Sequence, residues 1–214
     1  MSSADPLLAR NWTKTDVLAS LKAQETIRLT CFLRERYSER FFEPMRLLRS
    51  ASGNEHGFGF TLMAVCCLLV ETIQCYREGL PSSHERELKK LKDYQGIPTE
   101  YQVTDDDLKI KGEEIFRRFF SDNQRYFPCV NGITFYHNIR NGLLHQAQTK
   151  SGWTINIKRS KLWDEERQSI NRDLFSCQLE NCLSEYLSDL STRAFEQREW
   201  KKAAKKIWWL YELS

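Results

Sequence analysis

Apolar residues recur at helical spacing over most of this chain. Between Glu25 and Arg49, Leu29, Phe32, Leu33, Tyr37, Phe41, Met45 and Leu48 follow one another at steps of three and four, the stripe of an amphipathic helix. Pro44 lies inside that stripe and removes one backbone donor, so a bend is expected there. Residues 12–23 read as a shorter helix that Thr13 or Thr15 can cap. The glycine-bearing stretch 50–59 (SASGNEHGFG) predicts a loop. The helix after it, 60–77, is apolar on nearly every face and is therefore expected to be central, ending at Gly79, Pro81 and two serines.

Residues 84–107 are polar and are expected to be the least structured part. Thr104 or Asp105 caps a further helix running to about Tyr126, with Ile115, Phe116, Phe119 and Phe120 facing inward. A turn at Pro128, Asn131 and Gly132 leads into a helix over 134–148. Residues 152–158 (GWTINIK) alternate apolar and polar and predict a strand, with 162–163 as its hairpin partner. Asn171 caps a helix carrying Leu174, Cys177, Leu179, Leu183, Leu187 and Leu190. The last stretch places Lys201, Lys202, Lys205 and Lys206 on a solvated face opposite Trp208, Trp209 and Leu210. With no repeat and no linker, the expectation is an all-α fold in one domain over 1–214. Its helical core covers 12–195, and a Lys/Trp-rich C-terminal helix covers 196–214.

Composition narrows this only in places. Five Pro and nine Gly in 214 residues favour long helices over many short strands. A net charge of +3 argues against a protein that coats nucleic acid by bulk charge, while leaving room for a local basic site. The seven cysteines are odd in number and form no CxxC pair, and MSSADPLLARNW lacks the apolar stretch of a signal peptide. A reducing cytoplasm is the expected compartment, with Cys66 and Cys67 as buried thiols. The longest apolar run, 58–70, falls short of the roughly 18 to 20 residues of a membrane span, so a core helix is expected and no membrane partner.

Common catalytic signatures are absent: there is no phosphate-cradling glycine loop, no GxSxG, no HExxH and no metal-spaced Cys/His set. No cofactor and no metal are therefore expected. The helix TFYHNIRNGLLHQAQ is the exception to this plainness. At about 100° per residue, His137, Arg140, Asn141 and His145 share one arc of about 140°, while Ile139 and Leu143 lie opposite and can anchor the core. Four such groups on one side point to a cleft or a partner, because burying each singly costs about 1 to 3 kcal/mol.

Arg140-Asn141-Gly142-Leu143-Leu144-His145 resembles the Arg-x4–6-His motif, with a polar residue after the Arg, of the higher-eukaryote and prokaryote nucleotide-binding (HEPN) superfamily. The wider resemblance is to a bacterial branch found on plasmids and in defence contexts. It covers FFEPMRLLR (41–49), GFGFTLMAVCCLLVETIQCYREG (57–79) and FYHNIRNGLLHQAQTKSGWTI (135–155). Two other Arg-to-His spacings, Arg49 to His56 and Arg77 to His84, cross loop sequences and hold no helical geometry. The resemblance implies a HEPN-like bundle of about five to seven helices with a small β-hairpin after the motif helix. It also implies a metal-independent endoribonuclease, acting as a toxin or an antiviral, abortive-infection effector.

The implied chemistry has a physical basis. RNA is cut without metal when its 2′-hydroxyl attacks the adjacent phosphate, leaving a 2′,3′-cyclic phosphate. This needs a group that titrates near neutrality and a cation for the phosphoryl oxygens. His145 suits the first role and Arg140 the second, with Asn141 orienting the Arg or the phosphate and His137 supporting. One histidine cannot be base and acid at once, so the resemblance implies a composite site at a homodimer interface. Lys150, Lys158, Arg159 and Lys161 follow soon after and are candidates to contact the RNA backbone. The alternative is a non-catalytic HEPN dimer that binds RNA, a nucleotide or a protein partner. An antitoxin or regulatory protein is a further expected partner class. However, Ala147 stands where relatives controlled by a nucleotidyltransferase antitoxin carry a tyrosine, which argues against control by that route.

Overall fold

The computed structural model describes residues 7–51 and 58–212. With 65% of the chain in helices and 7% in strands, the strands are short accessories to a helical protein, as the patterning requires. The chain condenses into two compact units, each assembled from separated segments. Unit 1 holds Met1–Arg40, Cys75–Ile110 and Ser184–Ser214; unit 2 holds Phe41–Gln74 and Lys111–Leu183.

Unit 1 opens on a hairpin of β1 (Leu7–Ala9) and β2 (Trp12–Thr13), of which the sequence reading took β2 as the start of the first helix. Thr13 then caps α1 (Lys14–Lys22). Its Oγ1 accepts from the Asp16 N–H at 3.2 Å, and its own N–H donates to Asp16 Oδ2 at 3.0 Å, a reciprocal box that satisfies two orphan donors. α2 (Thr26–Tyr37) sends Leu29, Phe32 and Leu33 inward. Phe32 meets Trp12 at 5.4 Å and Tyr211 at 5.8 Å between ring centroids. The long helix broken at Pro44 exists, but its irregularity precedes the proline. A π turn over Ser38–Phe42 separates α2 from α3 (Glu43–Ala51), whose first turn accepts Pro44 without losing a bond.

Two expectations fail in unit 1. Residues 84–107 carry α5 (Glu85–Lys92) and two 3-10 turns, Thr99–Tyr101 and Asp107–Lys109. Leu88, Ile97 and Val103 from this stretch form a core cluster with Trp209. The C-terminal α10 (Arg198–Glu212) does not offer its lysines to solvent as a row. Lys205 and Lys206 are buried: Lys205 Nζ meets Asp107 Oδ2 at 2.6 Å, and Lys206 Nζ donates to the Pro81 carbonyl at 2.5 Å. Lys202 pairs with Glu78 at 2.9 Å, and only Lys201 of the four is exposed. Burial pushes the Lys206 ammonium below its ordinary range.

α4 (Phe58–Glu78) gives residues to both units, and the loop read at 50–59 falls largely on residues outside those described. It is the one described helix long and apolar enough to cross a membrane by length and composition. Half of its most apolar window is buried, with Leu62, Met63, Cys66, Cys67, Leu69 and Val70 fully enclosed. Burial drives the Cys66 and Cys67 thiols far above their ordinary range, so both act as small apolar groups.

In unit 2, α6 (Glu113–Asp122) starts later than expected. Thr104 and Asp107 do exchange cap-type bonds, but they close the 3-10 turn rather than α6. Ile115, Phe116, Phe119 and Phe120 face inward as the spacing required. The motif region is one continuous helical run: α7 (Gly132–Thr134), a π turn over Phe135–Arg140, and α8 (Asn141–Gln146). Asn131 caps it, its Oδ1 accepting from Ile133 and Thr134 N–H at 3.0 Å each. Phe135 is fully buried, 4.9 Å from Phe120 and stacked on Phe175 at 5.2 Å, which pins the motif run to the core.

The hairpin after the motif is instead a three-stranded mixed sheet. β3 (Thr154–Asn156) and β4 (Trp163–Asp164) do not pair with each other. Both flank β5 (Ser169–Asn171), β3 in parallel and β4 antiparallel. β5 is buried on all three residues and shows no alternation, so periodicity could not reveal it. Asn171 ends β5 and caps α9 (Arg172–Thr192), accepting from Asp173 and Leu174 N–H at 3.0 and 3.1 Å.

Candidate active site

The motif run begins by departing from regular α geometry. In the π turn each bond spans one residue more than in an α-helix, as the Asn141 N–H to Tyr136 carbonyl bond shows. A wheel drawn at constant angle therefore fails across 135–140, and the polar arc divides. His137 leaves it: its Nε2 lies 2.5 Å from Glu113 Oε2 in the first turn of α6, at an exposed position. Arg140, Asn141 and His145 converge.

Arg140 is the centre of that group. Its side chain is 10% exposed, and its Nε donates to Glu71 Oε1 at 2.7 Å. Nη1 reaches Asn141 Oδ1 at 3.1 Å and lies 3.5 Å from His145 Nε2. Nη2 has no hydrogen-bond partner among the described residues. The Tyr136 ring lies under the guanidinium at 5.6 Å, adding a cation–π contact. One edge of the fork is thus fixed by a buried carboxylate and the other is turned toward an exposed imidazole.

Glu71 is the residue of the candidate site that sequence reasoning missed. It sits on α4 with 12% side-chain exposure, 69 positions before Arg140. The signal was present as the lone carboxylate closing the run FGFTLMAVCCLLVE, since an acid on a core helix requires a buried partner.

Gly142 and Ala147 shape the end of the motif helix. Ala147 takes the left-handed conformation (φ 52°) and the Gln148 N–H returns to the Gly142 carbonyl, so the chain folds back across Gly142. A Cβ at Gly142 would strike the Gln148 carbonyl oxygen and lie 3.1 Å from Thr149 Cα. The glycine inside the Arg-to-His spacing is therefore a packing requirement, and it holds His145 on the turn that faces Arg140.

The four basic residues after the motif have different surroundings. Lys150 is half-buried, and its backbone N–H donates to the Asn138 carbonyl at 2.8 Å, tying the loop to the π turn. Arg159 Nη1 donates to Ser169 Oγ at 2.6 Å and its carbonyl accepts from Asn171 Nδ2, so this side chain braces the sheet. Lys158 and Lys161 are exposed, Lys161 beside a cleft of about 390 Å³ with Pro128, Cys129 and Trp163. Of the other Arg-to-His spacings, Arg49 bonds Ser176 and Glu180, and His56 lies outside the described residues. Among the described residues, no group of three or more His, Cys, Asp or Glu is placed to hold a metal ion.

Chemically, the cluster offers a fixed guanidinium with an open edge, a carboxamide and an imidazole that water and a ligand can reach. No family model, curated protein or solved structure matches the chain.

Proposed function

We propose that this protein is a metal-independent endoribonuclease of HEPN type with the Arg140–Asn141–His145 cluster as its active site, on a HEPN-like helical bundle. The observation that carries the reading is the convergence of the three motif side chains around a guanidinium anchored at Nε and open at Nη2. His145 takes the proton from the RNA 2′-hydroxyl as its oxygen forms a bond to the adjacent phosphorus. Arg140 Nη2 stabilises the charge that grows on the phosphoryl oxygens. The bond to the 5′-oxygen breaks, giving a 2′,3′-cyclic phosphate and a 5′-hydroxyl. The proton for that leaving oxygen comes from His145 of a second copy in a homodimer. A cytoplasmic toxin or antiviral effector is the setting this chemistry fits.

The test is cleavage of RNA in excess chelator by the wild type, Arg140→Ala and His145→Ala. Cyclic-phosphate product from the wild type and loss in both variants is expected. Activity that depends on metal, or that survives both substitutions, would sink the mechanism.

One observation favours a second reading. Glu71 already meets the Arg140 charge inside the core, an arrangement that also suits a non-catalytic module holding RNA or a protein partner. That version predicts binding without any cleavage product.

A further inference from the structure

Unit 1 contains a cleft of about 370 Å³ between α1, the Thr99–Tyr101 turn and α10. Tyr101, Phe195 and Trp208 line it, each of them half-buried, and Leu21 of α1 adds to its apolar wall. The rings are already held in place. Tyr101 stacks on Trp208 at 5.4 Å, and Trp208 meets Trp209 edge-on at 5.2 Å. Trp209 Nε1 donates to the Tyr101 carbonyl at 2.7 Å, and Phe195 stacks on Trp200 at 5.8 Å. The aromatic wall is therefore preformed, and binding need not order it first.

Lys22 and Glu100 line the same cleft, and both are exposed. Neither makes a hydrogen bond or an ion pair with any described residue, and they do not reach each other. This sets Lys22 apart from Lys202 and Lys205 of the same unit, which meet Glu78 and Asp107. The cleft thus offers a flat apolar wall with one cation and one anion at separate points. A phosphate ester suits it poorly because Glu100 repels the added negative charge, and a simple amine suits it poorly because Lys22 repels the positive one. A ligand that meets all three features is neutral overall. It brings a carboxylate to Lys22, an ammonium to Glu100 and a flat ring to the aromatic wall.

We propose that this cleft binds a free α-amino acid with an aromatic side chain. The site lies within unit 1, whereas Glu71, Arg140 and His145 belong to unit 2, so it stands without the nuclease reading.

The experiment is calorimetric titration of the full chain with L-phenylalanine, phenylalanine amide, N-acetylphenylalanine, alanine and adenosine. Phenylalanine is expected to bind the wild type best. The amide lacks the carboxylate and the N-acetyl form lacks the ammonium, so each should bind about fivefold more weakly. Alanine keeps both charges but has no ring, and it should bind about tenfold more weakly. Adenosine offers a flat ring without the two charges and should also bind more weakly than phenylalanine. The substitutions are then expected to cancel matching losses in the ligand. Lys22→Gln should bind phenylalanine and its amide alike, and Glu100→Gln should bind phenylalanine and its N-acetyl form alike. Both positions are exposed, so both variants should melt within about 2 °C of the wild type. The proposal is overturned if the wild type binds no phenylalanine, if alanine or adenosine binds as tightly, or if either variant still discriminates the ligands as the wild type does.

Discussion

Glu71→Gln puts the centre of the candidate site under direct strain. The substitution keeps an oxygen that can accept from Arg140 Nε at 2.7 Å, but it removes the charge that neutralises a guanidinium with 10% side-chain exposure. Unit charges about 4 Å apart attract by about 4 kcal/mol at an effective dielectric of about 20. Removing one partner of a buried pair costs about 3 to 5 kcal/mol. Because the hydrogen bond survives in part, about 3 kcal/mol is the expected loss. For a chain of this size that lowers the melting temperature by about 6 to 12 °C. Arg140→Gln leaves the carboxylate unmatched and should cost a similar amount. The double variant buries two neutral amides that can bond each other, so it should be far more stable than the sum of the singles implies. The assay is urea and thermal unfolding of the wild type, both singles and the double, with a coupling energy of about 2 kcal/mol or more expected from this cycle. Additivity within about 0.5 kcal/mol would refute the claim that Glu71 positions Arg140.

Two further outcomes test the surroundings. Gly142→Ala should lower stability by about 1 to 3 kcal/mol and abolish any cleavage activity, because its Cβ meets the backbone of Gln148 and Thr149, which cannot swing away; a thermal melt and a cleavage assay check both. Glu114, on α6, is held down at about 2 chiefly by the Arg117 guanidinium, so it binds its proton less readily folded than unfolded. Its contribution is present above its ordinary value of 4.5 and fades as pH falls toward 2, so the stability gap between wild type and Glu114→Gln should close over that window, and an unchanged gap would contradict the pairing.

What the sequence made legible was local. Thr13 and Asn171 announce helix starts because a cap needs only the next three residues, and Phe116, Phe119 and Phe120 face inward because their spacing is intact. Arg140, Asn141 and His145 could be grouped because a single helix carries all three. The failures are matters of distant partners. Lys205 looks solvated until Asp107, 98 positions earlier, is seen beside it, and Glu71 looks like the end of an apolar run until Arg140 arrives. His137 was misplaced for a different reason: a π turn changes the angular step, and nothing in FYHNIR marks it.

The interleaving of the two units sets an order of assembly during synthesis. All of unit 2, with Glu71, Arg140 and His145, has been made once residue 183 is added. Unit 1 must wait for α10, whose Trp200, Trp209 and Tyr211 complete its interior, 28 residues later at Tyr211. At about 5 to 20 residues per second that delay lasts about 1 to 6 s. During it, α2 and α5 present Phe32 and Leu88 to the cell without the Tyr211 and Trp209 that pack against them. A ribosome that stalls or stops in this interval therefore releases a chain in which unit 2, with the candidate site, is fully encoded and unit 1 is a target for chaperones and proteases.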